Sequence, residues 1–133
     1  MKTVLQPAAW PRPRGYANGV AAQGRQVFVA GMVGWNAEQR FESDDLVDQV
    51  RQALLNVRAV LDEAGAAPAH MVRMTWYVVD RADYLARNRE IGAVYRDVMG
   101  HYDVAMSAVE VRSLMEARAK VEIEVTAVVP QAL

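Results

Sequence analysis

The 133-residue sequence contains no cysteine, which excludes disulfides, thiolate nucleophiles and cysteine metal sites. Histidine occurs only as His70 and His101, in separate loop contexts and without an HExxH pattern, so no metal centre is expected. Neither sign of charge is in excess, with 15 basic residues against 16 acidic ones. That balance leaves no field to gather nucleic acid or an anionic membrane, and neither is an expected partner. No apolar run approaches the ~20 residues that span a bilayer. Pro7, Pro11 and Pro13 interrupt the N-terminal stretch before it can form the apolar core of a signal peptide, so a cytoplasmic location is expected. There is no GxSxG, P-loop or GxGxxG motif, so no cofactor is expected. Nor is there an internal repeat, a low-complexity tract or a linker.

The chain has enough apolar material, 53% of its residues, to bury a core as one domain spanning 1–133. Its clearest signal is Lys120 to Ala127, where polar and apolar residues alternate. That period predicts a strand with Val121, Ile123, Val125 and Ala127 on one face and Glu122, Glu124 and Thr126 on the other. Ala105 to Arg112 reads as a strand with Ser107, Val109 and Val111 opposite Met106, Ala108, Glu110 and Arg112. The short connection from Leu114 to Ala119 predicts that these two strands pair as an antiparallel hairpin. Its carboxylate-bearing face is the first candidate for chemistry.

Upstream, residues 1–15 read as an extended arm carrying Arg12 and Arg14, and Tyr16 to Ala22 as a weak strand. Gln26 to Gly34 and Met71 to Asp80 read as strands apolar on both faces, and therefore buried on both. Gly31 inside the first suggests a bulge or a close backbone approach. Ser43 is the expected cap of a helix with Leu46, Val50, Leu54, Val57 and Leu61 inward and Gly65 as its stop. Gln49 and Asn56 are expected to be structural. A second helix, capped by Asp83, is expected to run to about Met99 with Leu85, Asn88, Ile91, Val94/Tyr95 and Val98 inward. Of the tryptophans, Trp76 is expected in the core. Two helices cover one face of such a sheet, so the other face calls for self-association.

These segments together resemble the Rid (YjgF/RidA) family of reactive-intermediate deaminases, also labelled L-PSP endoribonucleases. The resemblance is carried by Gly15-Tyr16, Val27-Phe28-Val29-Ala30-Gly31, Leu55-Asn56-Val57, Val72 to Val78, Ser107 to Val111 and Val121 to Glu124. It implies an α+β, chorismate-mutase-like fold with two helices on one face of a mixed sheet. It also implies a homotrimer around a central barrel, with clefts between subunits for a small-molecule ligand. For the site it implies Glu122 as the catalytic carboxylate, and Tyr16, Ala30, Gly31, Met106 and Ser107 around the substrate.

Three of the matched positions depart from the deaminating pattern. Val104 stands where the resemblance implies a proline, Met106 where it implies an arginine, and Ala30 where it implies a serine. An arginine grips a carboxylate through two charge-assisted hydrogen bonds, and methionine can supply neither. An efficient 2-imino acid deaminase is therefore not expected. Arg14 and Arg73 are the candidate substitutes. Glu124, about 6.6 Å from Glu122 along the strand, also has a spacing that suits a glycosidase pair, but nothing else in the sequence supports a sugar site. Two readings stay open, namely a hydrolase of a small imine, enamine or related neutral metabolite, and a non-catalytic binder.

Overall fold

The computed structural model describes residues 2–101 and 103–131. Strands β1 (Lys2–Leu5) and β2 (Gly19–Ala22) form a small antiparallel ribbon. The main sheet contains β3 (Arg25–Val33), β4 (Met71–Val78), β5 (Ala105–Glu110) and β6 (Val121–Val129), in the order β3-β6-β4-β5. Helices α1 (Leu46–Glu63), α2 (Arg81–Ala86) and α3 (Asn88–Val98) complete the chain. Among the described residues, no helix is long and apolar enough to cross a membrane.

The alternation in β6 sets its central position. Val121, Ile123, Val125 and Ala127 are all buried, and β6 pairs antiparallel with β3 on one side and β4 on the other. The expected β5–β6 hairpin does not form. After β4 the chain returns through α2 and α3, and a crossover of that length delivers a parallel strand. β5 therefore pairs parallel with β4, from Arg73–Ala105 to Val78–Glu110, and β4 separates it from β6. The register places Met106 and Ala108 beside Met74 and Trp76, on the helix-covered face, and Ser107 beside Thr75 on the open face.

Two register shifts adjust which side chains point inward. One lies between Met71 and Arg73; the extra residue lets Met71 and Met74 both face the core, against the strict alternation expected of this strand. The other lies between Val29 and Met32 and places a bulge at Ala30–Gly31. Within the chain, β3 is not buried on both faces as expected, since Phe28 is 70% exposed on the open face while Val27 and Val29 are buried.

α1 lies against the sheet because Leu46, Val50, Ala53, Leu54, Val57 and Leu61 recur at helical spacing, and all are buried. Its N-cap is Asp45, whose carboxylate accepts from Asp48 N–H. Ser43, the expected cap, instead accepts from Asp45 N–H and donates to the Asp48 carboxylate. Gly65 ends the helix at φ +66°, a conformation that favours glycine. Gln49 and Asn56 are structural, as expected. Gln49 ties Ser43 O and Arg118 O to Lys120 N–H, and Asn56 donates to Val33 O and Trp35 O.

The expected second helix is divided in two. Asp80, not Asp83, caps α2, and the helical run breaks at Arg87. The Arg87 guanidinium bridges Asp45 at 2.8 Å and Glu90 at 2.9 Å. This locks the break to the cap of α1 and holds the Asp45 carboxyl below the usual carboxylate range. Leu85 and Asn88 are exposed rather than inward, while Ile91, Val94, Tyr95 and Val98 are buried.

Candidate functional site

One part of the site lies where the N-terminal arm meets β5. Ala17 forms a parallel bridge to Ala105 and donates from its N–H to Val104 O at 2.9 Å. This bridge places Tyr16 beside Met106 at a cleft of about 760 Å³. Trp76, Ile91 and Tyr95 form its buried floor, Met106 and Ala108 its apolar wall, and Arg14 and Arg89 stand exposed at its rim. Tyr84 meets Trp76 edge to face, with centroids 6.2 Å apart, and burial pushes its phenol pKa up. Trp76 is 1% exposed, and its Nε1 has no hydrogen-bond partner among the described residues.

The other part lies at the opposite edge of the sheet and on its open face. The bulge brings Gly31 under the Glu122 carboxylate so closely that a Cβ at residue 31 would collide with it. Glu122 and Glu124 project from the same face of β6, as the alternation predicts, but their partners differ. Tyr77 donates to Glu124 Oε1 at 2.7 Å, and that bond is the main cause of the raised Tyr77 pKa. Glu122 accepts no hydrogen bond among the described residues. Arg73 lies farther along this face, lining a shallow hollow with Phe28 and Glu124.

The residues singled out in the sequence therefore fall into separate places within one chain. Tyr16 and Met106 share the cleft at the β5 edge. Ala30 and Gly31 lie on the edge strand β3, and Glu122 lies on its inner neighbour β6, with its carboxylate against Gly31. Ser107 is exposed on the open face of β5. Arg112 lies beyond the end of β5, and Arg14, unlike Arg73, reaches the Met106 cleft. Sequence reading missed Arg89, Gly92 and Arg96, which also line the cleft. Their spacing of three and four residues on one helix face was the available signal. Among the described residues, no group of acidic and histidine side chains is arranged to hold a metal.

Comparison with known proteins gives a consistent picture. The family model described as endoribonuclease L-PSP matches residues 8–129. A RutC family protein of Aquifex aeolicus is 32% identical over 130 residues, covering 96% of this chain and 99% of that one. A 2-iminobutanoate/2-iminopropanoate deaminase of Salmonella typhimurium is 31% identical over 113 residues, 85% of this chain and 86% of that one. Among solved structures, the Rid-family protein YyfB of Yersinia pestis, itself of unknown function, superposes with a TM-score of 0.86. It is 33% identical, with 96% of this chain and 98% of that chain covered. The mixed sheet, the helices on one face and the near-complete matches agree: the chain belongs to the Rid (YjgF) family.

Proposed function

We propose that the chain acts as a homotrimer of single-domain subunits that hydrolyses a small imine or enamine in clefts between neighbours. The observation that carries this reading is the separation of the site, within one chain, between the β5 edge and the β3–β6 side of the sheet. Tyr16 and Met106 stand at the β5 edge, whereas Gly31 and Glu122 stand by the β3 edge. A ring that sets the β5 edge of one subunit against the β3 edge of the next unites the two parts. The family resemblance sets that ring at three. The same association covers Phe28 and Val109, which one chain leaves exposed on the open face.

Within such a cleft Glu122 takes a proton from water as the water oxygen attacks the imine carbon. The π electrons of the C=N bond move to nitrogen, which takes up a proton. The proton that nitrogen takes up is the one Glu122 received, which gives a carbinolamine. Glu122 then takes the carbinolamine hydroxyl proton and passes it to nitrogen as the C–N bond breaks, releasing ammonia or an amine and leaving a carbonyl product. Backbone groups at the exposed Ala30–Gly31 bulge are placed to orient the reacting group, and Tyr16 and Ser107 to close around it. The mechanism needs no metal or cofactor. It also uses no nucleic acid; Glu122-dependent cleavage of RNA by purified protein would contradict it.

Met106 offers no ion pair to a carboxylate on the reacting carbon, so small 2-imino acids are poor substrates in this reading. The test is Glu122→Gln, which keeps the shape and removes the base. It should lower hydrolysis of a neutral imine by roughly a hundredfold or more while leaving the trimer intact. Unchanged turnover would refute the role of Glu122. The apolar residues at positions 30 and 106 favour the second reading, a trimer that binds a metabolite without turning it over. Ligand retention with no Glu122-dependent product would select that reading.

A further inference from the structure

We propose that the cleft beside β5 takes an elongated ligand whose negative charge lies away from the reacting carbon, received by Arg14 and Arg89, while Trp76 Nε1 donates to a neutral acceptor at the floor. The location of the reacting carbon rests on the function proposed above; the ligand-binding claim rests on the cleft alone.

Charge supplies one observation. In a chain of formal net charge −1, the described residues that line this cleft include Arg14, Arg89 and Arg96 and no acidic one. Arg14 and Arg89 form no ion pair with a carboxylate among the described residues. Both are exposed, so they can turn toward an anion at the mouth. A guanidinium is suited to that task because it presents paired donors at a fixed angle.

The floor supplies an independent observation. The Trp76 indole N–H is buried and has no partner among the described residues, yet the tryptophan lines the cleft. Buried donors of this kind are rarely left unpaired in folded proteins. An acceptor entering the cleft would complete it. Between floor and rim lie Met106, Ala108 and Tyr84, an apolar passage for the middle of a ligand. A three- or four-carbon imino acid would not fill the cleft of about 760 Å³ that one chain presents before a neighbour packs beside it. In such an acid the charge sits next to the reacting carbon and cannot reach floor and rim together.

The test compares 5-oxo-5-phenylpentanoate with its amide, 5-oxo-5-phenylpentanamide, by calorimetric titration of the assembled protein at low salt. The two probes share a ring, a ketone acceptor and a chain, and differ in the terminal charge. The acid should bind about tenfold more tightly than the amide, and the ratio should shrink as salt is added. Arg14→Gln and Arg89→Gln should each reduce the ratio about threefold and together abolish it, without weakening the amide. Trp76→Phe should weaken both probes equally. Because Trp76 is buried, the exposed arginine variants decide the matter if that variant does not fold. Equal binding of acid and amide, arginine variants without effect, or no binding of either probe would overturn the proposal. Glu122→Gln separates the two claims: an acid preference that persists in a protein without Glu122-dependent turnover supports this site and refutes the hydrolase. Glu122-dependent hydrolysis without an acid preference does the reverse.

Discussion

Replacing Met106 with arginine tests how much a single side chain sets substrate choice. Met106 is partly buried against the core and forms part of the cleft wall. In the proposed trimer, an arginine there would meet the carboxylate of 2-iminopropionate. Each charge-assisted hydrogen bond contributes about 1.5–3 kcal/mol. Two opposing effects reduce the benefit. Arg14, Arg89 and Arg96 line the same cleft and disfavour a further cation. Val104, 1% exposed, lacks the fixed φ of the proline implied at that position and so aims the strand less firmly. A net gain of about one bond remains, corresponding to roughly ten- to a hundredfold in kcat/KM. The assay follows disappearance of 2-iminopropionate, generated in situ, with wild type and Met106→Arg at matched trimer concentration. Wild type should be slow or inactive, and the variant should recover partial turnover that is lost again on adding Glu122→Gln. Rapid wild-type turnover would refute the reasoning, because Arg14 or another cation would then already hold the carboxylate.

Three further outcomes follow from local geometry. Gly31→Ala should displace the Glu122 carboxylate, since the new Cβ would occupy its place; a crystal structure should show the shift, and imine turnover should fall without loss of assembly. Asp45→Ala removes the α1 cap and should cost about 1–2 kcal/mol in denaturant unfolding. The depressed Asp45 pKa adds stability at pH values above the unfolded carboxyl pKa of about 3.9; that contribution is lost as pH falls through the lower folded value, and Asp45→Ala should flatten this acid limb. Tyr77 holds its proton more tightly in the folded state than in the unfolded chain. Its contribution is therefore fully present below pH ~10 and declines as pH rises through the raised folded value, a decline that Tyr77→Phe should remove.

Alternation in the sequence was a sound guide to the faces of β6, but not to which strands are neighbours. Every second residue of β6 is buried as the pattern predicts. The partner of β5 could not be read the same way, because a short loop permits a hairpin without requiring one. The pairing was decided by the crossover through α2 and α3, which places β5 beside β4. Bulges add another obstacle, since the extra residue near Val72 turns Met71 inward without altering composition. The break at Arg87 depends on carboxylates at Asp45 and Glu90, and Asp45 is remote in sequence. The site was only partly legible for a related reason. Glu122 and Gly31 could be named from β-strand periodicity and family resemblance, whereas the arginine-lined cleft required α3 to be packed beside β5 and the arm.

The central claim is that the β5 edge of one subunit meets the β3 edge of its neighbour, and a cysteine-free chain permits a direct test. Ala30 lies on β3 and Ser107 on β5, at opposite edges of the four-stranded sheet. Within one chain they stand about 14 Å apart, or three strand spacings, beyond the roughly 7 Å that a disulfide can bridge. The double variant Ala30→Cys/Ser107→Cys can therefore cross-link only between chains. Mild oxidation followed by non-reducing electrophoresis should convert it to covalent trimer through a dimer intermediate, while each single variant forms no trimer. A double variant that stays monomeric under oxidation, with both thiols reactive, would contradict the account.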